Sequence, residues 1–509
     1  MSERLPIKRI AIVGGGTAGW MTAAVLARAL PGTGCEITVI ESPEVGTVGV
    51  GEATIPPILD LLRLLNINEG DFVRHTGATY KLGIKFTDWS TLGASYWHPF
   101  GSFGTMVNLR PFTHCWHRAR ADGAELRFND FSLCAALGDQ GRFRFPEPTA
   151  AGPVAGLRYA LHFDATLVAK YLRAYAERLG VTRLERHVVD ATRLADGRLG
   201  ELVFTDHSRH GADLFIDCSG FRGILIEKTL QTGYTDWSSV LPCDRAVAFP
   251  TDLVGARPPY TQAFARAAGW RWRIPLQHRV GNGYVYSSHH VEDGAALADL
   301  AAQTRLEPRA EPRLLRFVTG RRKLFWNRNC VALGLASGFI EPLESTSIHL
   351  VMSGVYKLLE HFPDLGFAQA NIDSYNREVG DELERIRDFI VLHYCASARD
   401  DSEFWRYCRH MPLPDTLQAR IDLYRSTGRI RLKAGDLFND LSWFYVFEGM
   451  GIRPTAHDPL IDVPQAAQLQ EIFAALAAAT AAAVKDAPAH DSYFAAPGAE
   501  RSAGRMARA

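Results

Sequence analysis

The strongest constraint on this chain lies at its start. An apolar run, Ile10-Ala-Ile-Val13, meets a glycine turn, Gly14-Gly15-Gly16-Thr17-Ala18-Gly19, and an Ala/Leu-rich stretch then leads to Leu30 and a second apolar run, Glu36-Ile-Thr-Val-Ile40. Strand-like runs on either side of a helical stretch describe a βαβ unit. Such a unit sets two strands parallel with a right-handed crossover, so the chain is committed to an α/β core by Glu41. In the GxGxxG pattern one glycine makes the tight turn, one lets the backbone approach a pyrophosphate, and one lets helix pack on strand. The helix N-terminus faces the phosphates. Glu41 ends the second strand roughly 20 residues on, where an acidic side chain can hold a ribose hydroxyl pair. A dinucleotide is expected here, and the turn alone does not choose between FAD and NAD.

The 509 residues exceed one minimal domain. Hydrophobic residues at 47% and charged residues at 22% fit a globular protein. With 56 basic and 56 acidic residues, no bulk charge draws nucleic acid or an anionic membrane. The eight cysteines lack CxxC or zinc-like spacing and read as reduced core thiols, so neither a metal site nor a disulfide framework is expected. No signal-peptide pattern opens the chain and no apolar run approaches the roughly 18 residues of a membrane span. A cytoplasmic protein is expected.

Residues 42–57 are rich in Gly and Pro, which suits a loop lying on a ligand. Helical spacing follows at Ile58, Leu61, Leu62 and Leu65. From Thr79 to Phe86 the sequence alternates, predicting one strand with Tyr80, Leu82, Ile84 and Phe86 on one face and Lys81, Gly83 and Lys85 on the other. A second buried strand, Asp213-Leu-Phe-Ile-Asp217, ends in Cys218-Ser-Gly220. Residues 346–362 and 372–392 read as amphipathic helices, an alanine-rich helix follows Asp462, and residues 495–509 read as a disordered tail.

Further segments carry a resemblance. Trp270-Arg-Trp272-Arg-Ile274-Pro275 matches a WxWxIP signature, and the glycine turn runs on into Trp20. With them come Gly51-Glu-Ala53-Thr-Ile-Pro56, Thr79-Tyr-Lys81-Leu-Gly-Ile-Lys-Phe86, Leu161-His-Phe-Asp164-Ala, Glu341-Pro-Leu-Glu344-Ser-Thr346 and Ser397-Ala-Arg-Asp400-Asp-Ser-Glu-Phe-Trp405. From about residue 8 to 455 the chain resembles the flavin-dependent halogenases of the tryptophan-halogenase family. The resemblance implies an α/β, FAD-binding Rossmann-like fold of the flavin monooxygenase type with a fused, mainly helical substrate-binding subdomain. The FAD-binding core would be built from about 8–90, 160–235 and 315–365, and the substrate parts from about 91–159, 236–314 and 366–494, all in one domain spanning 1–494.

The resemblance also assigns roles. Lys81, which an alternating pattern alone would leave on a solvated sheet face, becomes the amine that polarises hypohalous acid or carries the halogen as a haloamine. Lys85 stays an ordinary surface lysine. Glu344 positions the reagent and stabilises the cationic arenium intermediate or accepts its proton. Thr346 and Ser347 bind the halide at a helix N-terminus, although Ser or Thr there is also a natural cap. Where the family commonly reads Ser-Thr-Gly, this chain has Ser345-Thr346-Ser347. FAD contacts are expected from Gly14, Gly16, Thr17, Ala18, Gly19, Glu41, Gly51, Ala53 and Leu335. The loop His98-Pro99-Phe100 and Trp443 would stack the substrate. Trp270, Trp272, Ile274 and Pro275 are signature rather than reagent, and His162 and Asp164 are structural.

The implied reaction takes FADH2 from a separate flavin reductase, forms a flavin hydroperoxide with dioxygen, oxidises chloride or bromide to hypohalous acid, and passes the halogen through Lys81 to an electron-rich ring. No second GxGxxG provides for NAD(P)H. Residues 436–451 pass quickly to Gly449-Met-Gly451 and lack part of the clamp expected for free tryptophan, so a free indole or similar small aromatic is preferred. A halogenase of free L-tryptophan, a flavin-dependent aromatic monooxygenase and a non-catalytic flavin-binding protein are the alternatives. A homodimer is expected from the family.

Overall fold

The structure, a computed structural model, describes residues 5–43, 51–147, 149–150, 152–463 and 466–494. The tail at 495–509 lies outside the described residues. The chain divides into two compact units: residues 1–78, 163–245 and 315–387 form the first, and 79–162, 246–314 and 388–509 the second.

The first unit carries a sheet in the order Trp326–Asn327, Cys330–Ala332, Leu214–Asp217, Arg9–Val13, Glu36–Glu41, Thr182–Glu185. All its pairings are parallel except the edge hairpin. Ile10 through Val13 are all buried, the continuous apolar run of a parallel strand covered on both faces. The crossover helix Thr17–Ala29 packs on the helices Ala165–Arg178 and Ser347–Glu360. Asp164 caps Ala165–Arg178, its Oδ1 accepting from the Thr166 and Leu167 amides at 2.9 and 3.3 Å. Leu214–Asp217 lies beside Arg9–Val13, so the glycine turn and the Cys218-Ser219-Gly220 turn leave the same end of the sheet. The buried Asp217 carboxylate accepts from the Ser219, Leu225 and Ile226 amides at 2.8–2.9 Å and starts the π-helical turn Ile224–Thr229.

The second unit carries a sheet in which Val280–Tyr286, Gly269–Pro275, Thr261–Arg266, Gly83–Thr87 and Ser95–Pro99 follow in order. Here the structure corrects the reading of 79–86 as one alternating strand. The chain breaks at Leu82, whose amide donates to Pro259 O (2.7 Å) and whose carbonyl accepts from the Phe100 amide (2.8 Å). Thr79–Lys81 pairs antiparallel with Ala160–Asp164, placing Lys81 opposite Ala160, while Gly83–Thr87 joins the larger sheet. Lys81 and Lys85 therefore stand on different ladders. Residues 79–90 fall in this second unit.

A second core of this unit gathers Phe103, Phe112, Trp116, Phe131, Phe444 and Tyr445. Leu469 and Phe473 join it from the helix Ala466–Lys485. Among the described residues this helix alone is long and apolar enough to cross a membrane by length and composition, and its packing here is that of a surface helix docked on a core.

Candidate active site

The glycine turn is shaped by close approaches within the first unit. Gly14 has φ +121°, and a Cβ there would lie 2.2 Å from Cys218 O; one on Gly19 would lie 1.8 Å from Gly14 O. The second position, free in the motif, is constrained too: a Cβ on Gly15 would meet Glu41 Oε2 at 1.6 Å. Glu41 is held there by the Trp20 indole N–H (3.1 Å) and by the Arg183 guanidinium, with Arg173 at 3.9 Å. Trp20 thus acquires a local task that the motif does not name. Among the described residues no atom comes within 4 Å of a Cβ built on Gly16, and no side chain caps the helix that Gly16 begins. A diphosphate fits this arrangement: free amides, a positive helix end and open space at the third glycine.

Of the other expected cofactor contacts, Ala18 is half-buried on the open side, whereas Thr17 donates its hydroxyl inward to Ala165 O at 3.1 Å. Gly51 and Ala53 are buried in the strand Gly51–Ala53. Between them, burial raises the Glu52 carboxyl to about 7. Leu335 sits half-buried in the turn Gly334–Ala336, which packs on Ala18: a Cβ on Gly334 would lie 2.9 Å from Ala18 Cβ.

The halide turn also belongs to the first unit. Glu341 and Glu344 are buried around the short turn Pro342–Glu344, and Ser345 follows with φ +59°, a left-handed conformation costly for a residue with a Cβ. This kink feeds the helix Ser347–Glu360. The expectation that Ser or Thr caps the helix is not met. Thr346 occupies the cap position with helical φ and ψ, its side chain makes no capping bond, and its buried Oγ1 has no hydrogen-bond partner among the described residues. A helix start with free amides and an unpartnered hydroxyl is suited to an anion.

In the second unit Lys81 is fully buried, with Nζ 5.2 Å from the Phe100 ring centroid. Lys85 instead reaches Asp139 at 2.6 Å and remains partly exposed. The Lys81 strand is anchored through Thr79, whose hydroxyl donates to Pro275 O (2.7 Å) and contacts His162 Nδ1 (3.1 Å); His162 Nε2 meets the Thr261 hydroxyl at 2.9 Å. Burial, and then the positive charge of Lys81, push His162 well below the usual histidine range. The WxWxIP and Lys81 segments are therefore joined at Pro275, a link that alternation and spacing do not reveal.

Trp270 and Trp272 share the buried face of Gly269–Pro275, as period two predicts. Ala265 and Val285 stand opposite Trp270, and Ala263 and Gly283 opposite Trp272, where a Cβ on Gly283 would lie 2.1 Å from the Trp272 ring. Ile274 is buried on the same face. His98 and Pro99 are buried at the end of Ser95–Pro99, and the His98 ring lies 5.6–6.2 Å from Phe389, Phe438 and Tyr445. Trp443 is buried between Phe389 (4.9 Å) and the Arg420 guanidinium (4.1 Å), so one face is already covered. Phe389 and Phe438, stacked at 3.8 Å, were not singled out from sequence; an aromatic on an amphipathic helix carries no signal beyond core packing.

The first unit thus carries a dinucleotide turn and an anion-suited helix start, and the second a fully buried lysine beside the Phe100 ring. The tryptophan halogenase family profile matches residues 9–466. Tryptophan 7-halogenase RebH of Lentzea aerocolonigenes is 36% identical over 92% of this chain and 95% of its own. The solved structure of BrvH, a flavin-dependent halogenase from Brevundimonas sp. BAL3, superposes with a TM-score of 0.93 at 42% identity, covering 96% of this chain and 99% of that one. A tryptophan 6-halogenase from Streptomyces toxytricini gives 0.89 at 33% identity, covering 97% and 100%. The chain belongs to the tryptophan-halogenase family. It is a flavin-dependent halogenase, an oxidoreductase that uses FADH2 and a halide to halogenate an aromatic ring.

Proposed function

We propose that Lys81 delivers the halogen, that Glu344 serves the ring during substitution, and that the native substrate is a free indole or similar small aromatic. The observation that carries this reading is the complete burial of the Lys81 amine against Phe100. A buried ammonium costs several kcal/mol of desolvation, so a lysine kept there without a surface outlet calls for a chemical reason. Bound as FADH2, the flavin supplies the electrons with which dioxygen oxidises chloride or bromide to hypohalous acid. Thr346 and Ser347 hold the halide beforehand with free amides and the Thr346 hydroxyl. Lys81 Nζ then hydrogen-bonds the hypohalous acid, or takes the halogen with loss of water, and hands it to the ring carbon. Glu344 stabilises the resulting cation and accepts the proton released as aromaticity returns.

The preference for indole over L-tryptophan rests on charge. A zwitterion needs partners for both its carboxylate and its ammonium; near the aromatic cluster Arg420 Nη2 is taken by Asp436 (3.2 Å), with no hydrogen-bond partner for Nη1 among the described residues, and Glu448 is engaged by Trp116, Arg120 and Arg453. A neutral ring needs only stacking surfaces. The similarity to enzymes named as tryptophan halogenases favours free L-tryptophan as the second reading. With one nucleotide fingerprint, the enzyme takes FADH2 from a separate flavin reductase, in the cytoplasm, with a homodimer as the expected assembly.

The test is a reductase-coupled assay with bromide and indole. Lys81→Ala abolishes product while FAD binding survives, Lys85→Ala stays near wild type, and Glu344→Gln lowers the rate less completely. Wild-type product formation by Lys81→Ala refutes the assignment.

A further inference from the structure

The halide helix carries a buried polar stripe that the reading above leaves unused. Thr346, His349, Ser353 and Lys357 recur at spacings of three and four along Ser347–Glu360, which places them on one face. Three of them converge on one carboxylate of the helix Gln369–Cys395. Glu382 Oε1 accepts from His349 Nε2 at 3.0 Å, and Oε2 accepts from the Ser353 hydroxyl at 2.6 Å and from Lys357 Nζ at 2.8 Å. The carboxylate is buried, yet His349 and Lys357 hold it down at about 2. An ionised carboxylate only accepts, so His349 Nε2 carries a proton. The other nitrogen, Nδ1, is buried with no hydrogen-bond partner among the described residues. At the third helical position, a side chain leans back toward the cap, and the cap residue here is Thr346, with its own unpartnered hydroxyl.

The chemistry asks for a proton at that place. Making hypohalous acid balances as X⁻ + O2 + FADH2 + H⁺ → HOX + H2O + FAD: two electrons come from FADH2, two from the halide, and one proton is consumed. We propose that His349 supplies this proton from Nδ1, with Glu382 holding the ring in place by Nε2. The Nδ1–H bond breaks as an O–H bond forms on an oxygen that ends in hypohalous acid or water, and the neutral ring takes a proton back from water before the next turnover. The inference rests on the halide reading of Thr346 and Ser347.

The groups bearing on this ring are few. Glu382 and Lys357 meet on the stripe; Glu341 and Glu344 lie in the turn before the helix; Glu378 is 3.6 Å from His361 farther along. The helices Thr17–Ala29 and Ile58–Leu64, which also pack on this one, bring only Arg28 and the mutually paired Asp60 and Arg63. Two substitutions therefore act on His349 with opposite sign. Glu382→Gln removes the anion on Nε2, and Lys357→Met removes a cation held on the same carboxylate.

The experiment uses the full chain with FAD, a reductase, bromide and indole, reading product and hydrogen peroxide per FADH2 across pH, together with a bromide-soaked crystal. His349→Ala is expected to lose product by about 100-fold or more, the usual scale of a lost proton donor. Hydrogen peroxide replaces the product, and added imidazole restores part of the rate. The alkaline limb of product formation shifts down by about one pH unit or more in Glu382→Gln and up in Lys357→Met, with bromide still seen at Thr346–Ser347. Bromide at that site with unmoved limbs, or limbs moving the same way, overturns the role of His349 alone. Bromide absent from the helix start overturns the halide reading and the inference with it.

Discussion

Replacing Thr79 by Val tests the anchoring of the Lys81 strand with almost no change of shape. The Thr79 hydroxyl has one proton, and the 2.7 Å bond to Pro275 O uses it. The 3.1 Å contact with His162 must then be an Nδ1–H donating to Thr79 Oγ1. In a neutral ring this leaves Nε2 as acceptor for the Thr261 hydroxyl at 2.9 Å. Four buried groups are satisfied in one direction, Thr261 to His162 to Thr79 to Pro275, and a single tautomer is selected. Val keeps the volume but strands a buried N–H and a buried carbonyl. At about 1–3 kcal/mol for each unsatisfied group, the loss is about 2–6 kcal/mol. Thr79→Ser removes only a methyl, roughly 1 kcal/mol. Urea unfolding followed by tryptophan fluorescence measures both, and the same preparations are assayed for bromination, where Val is expected to lose more activity than its unfolded fraction explains. A Val variant as stable as the Ser variant, within about 0.5 kcal/mol, would refute the hydrogen-bond assignment.

Acid should weaken the fold through its buried histidines: burial holds His117 at about 3 and His490 at about 4, with His162 also well below normal. Below about pH 6.5 the unfolded chain binds protons that the folded one refuses, so each histidine removes up to about 1.4 kcal/mol per pH unit until its folded value is reached. His490→Asn should flatten the dependence of the urea midpoint on pH between about 6.5 and 4, and an unchanged slope contradicts the burial argument. Glu448, pushed up by burial next to His117, acts in the opposite sense and moderates the fall. Gly14→Ala forces a Cβ to within 2.2 Å of Cys218 O at φ +121°; with about 1–3 kcal/mol of strain, FAD affinity by fluorescence titration should drop about tenfold or more. In competition, indole should be brominated faster than L-tryptophan, and a clear preference for tryptophan would favour the second reading of the substrate.

What could be read from the sequence tracks how local the physical demand is. The βαβ unit was legible because strand, turn and helix each announce themselves within a few residues, and the structure begins and ends them within a residue or two of the expected places. Lys81 shows the opposite case. Its period-two context pointed to one continuous strand, but the break at Leu82 is imposed by Pro259 and Phe100, one of them far along the chain. No local pattern encodes that partner, so only the family resemblance set Lys81 apart from Lys85. Thr346 misled for a related reason: its residue type favours a cap, whereas the left-handed Ser345 turns the chain so that the cap bond is not made. His349 and Glu382 were invisible as a pair because each sits on its own amphipathic helix, where a lone His or Glu reads as an ordinary polar position. Their meeting depends on how two helices pack, and that packing is tertiary information. A site built from such contacts is where sequence reasoning should stop short. It is also where buried atoms such as His349 Nδ1 and Thr346 Oγ1, which have no hydrogen-bond partner among the described residues, become the more telling guide, because a buried polar group left unpaired calls for an explanation.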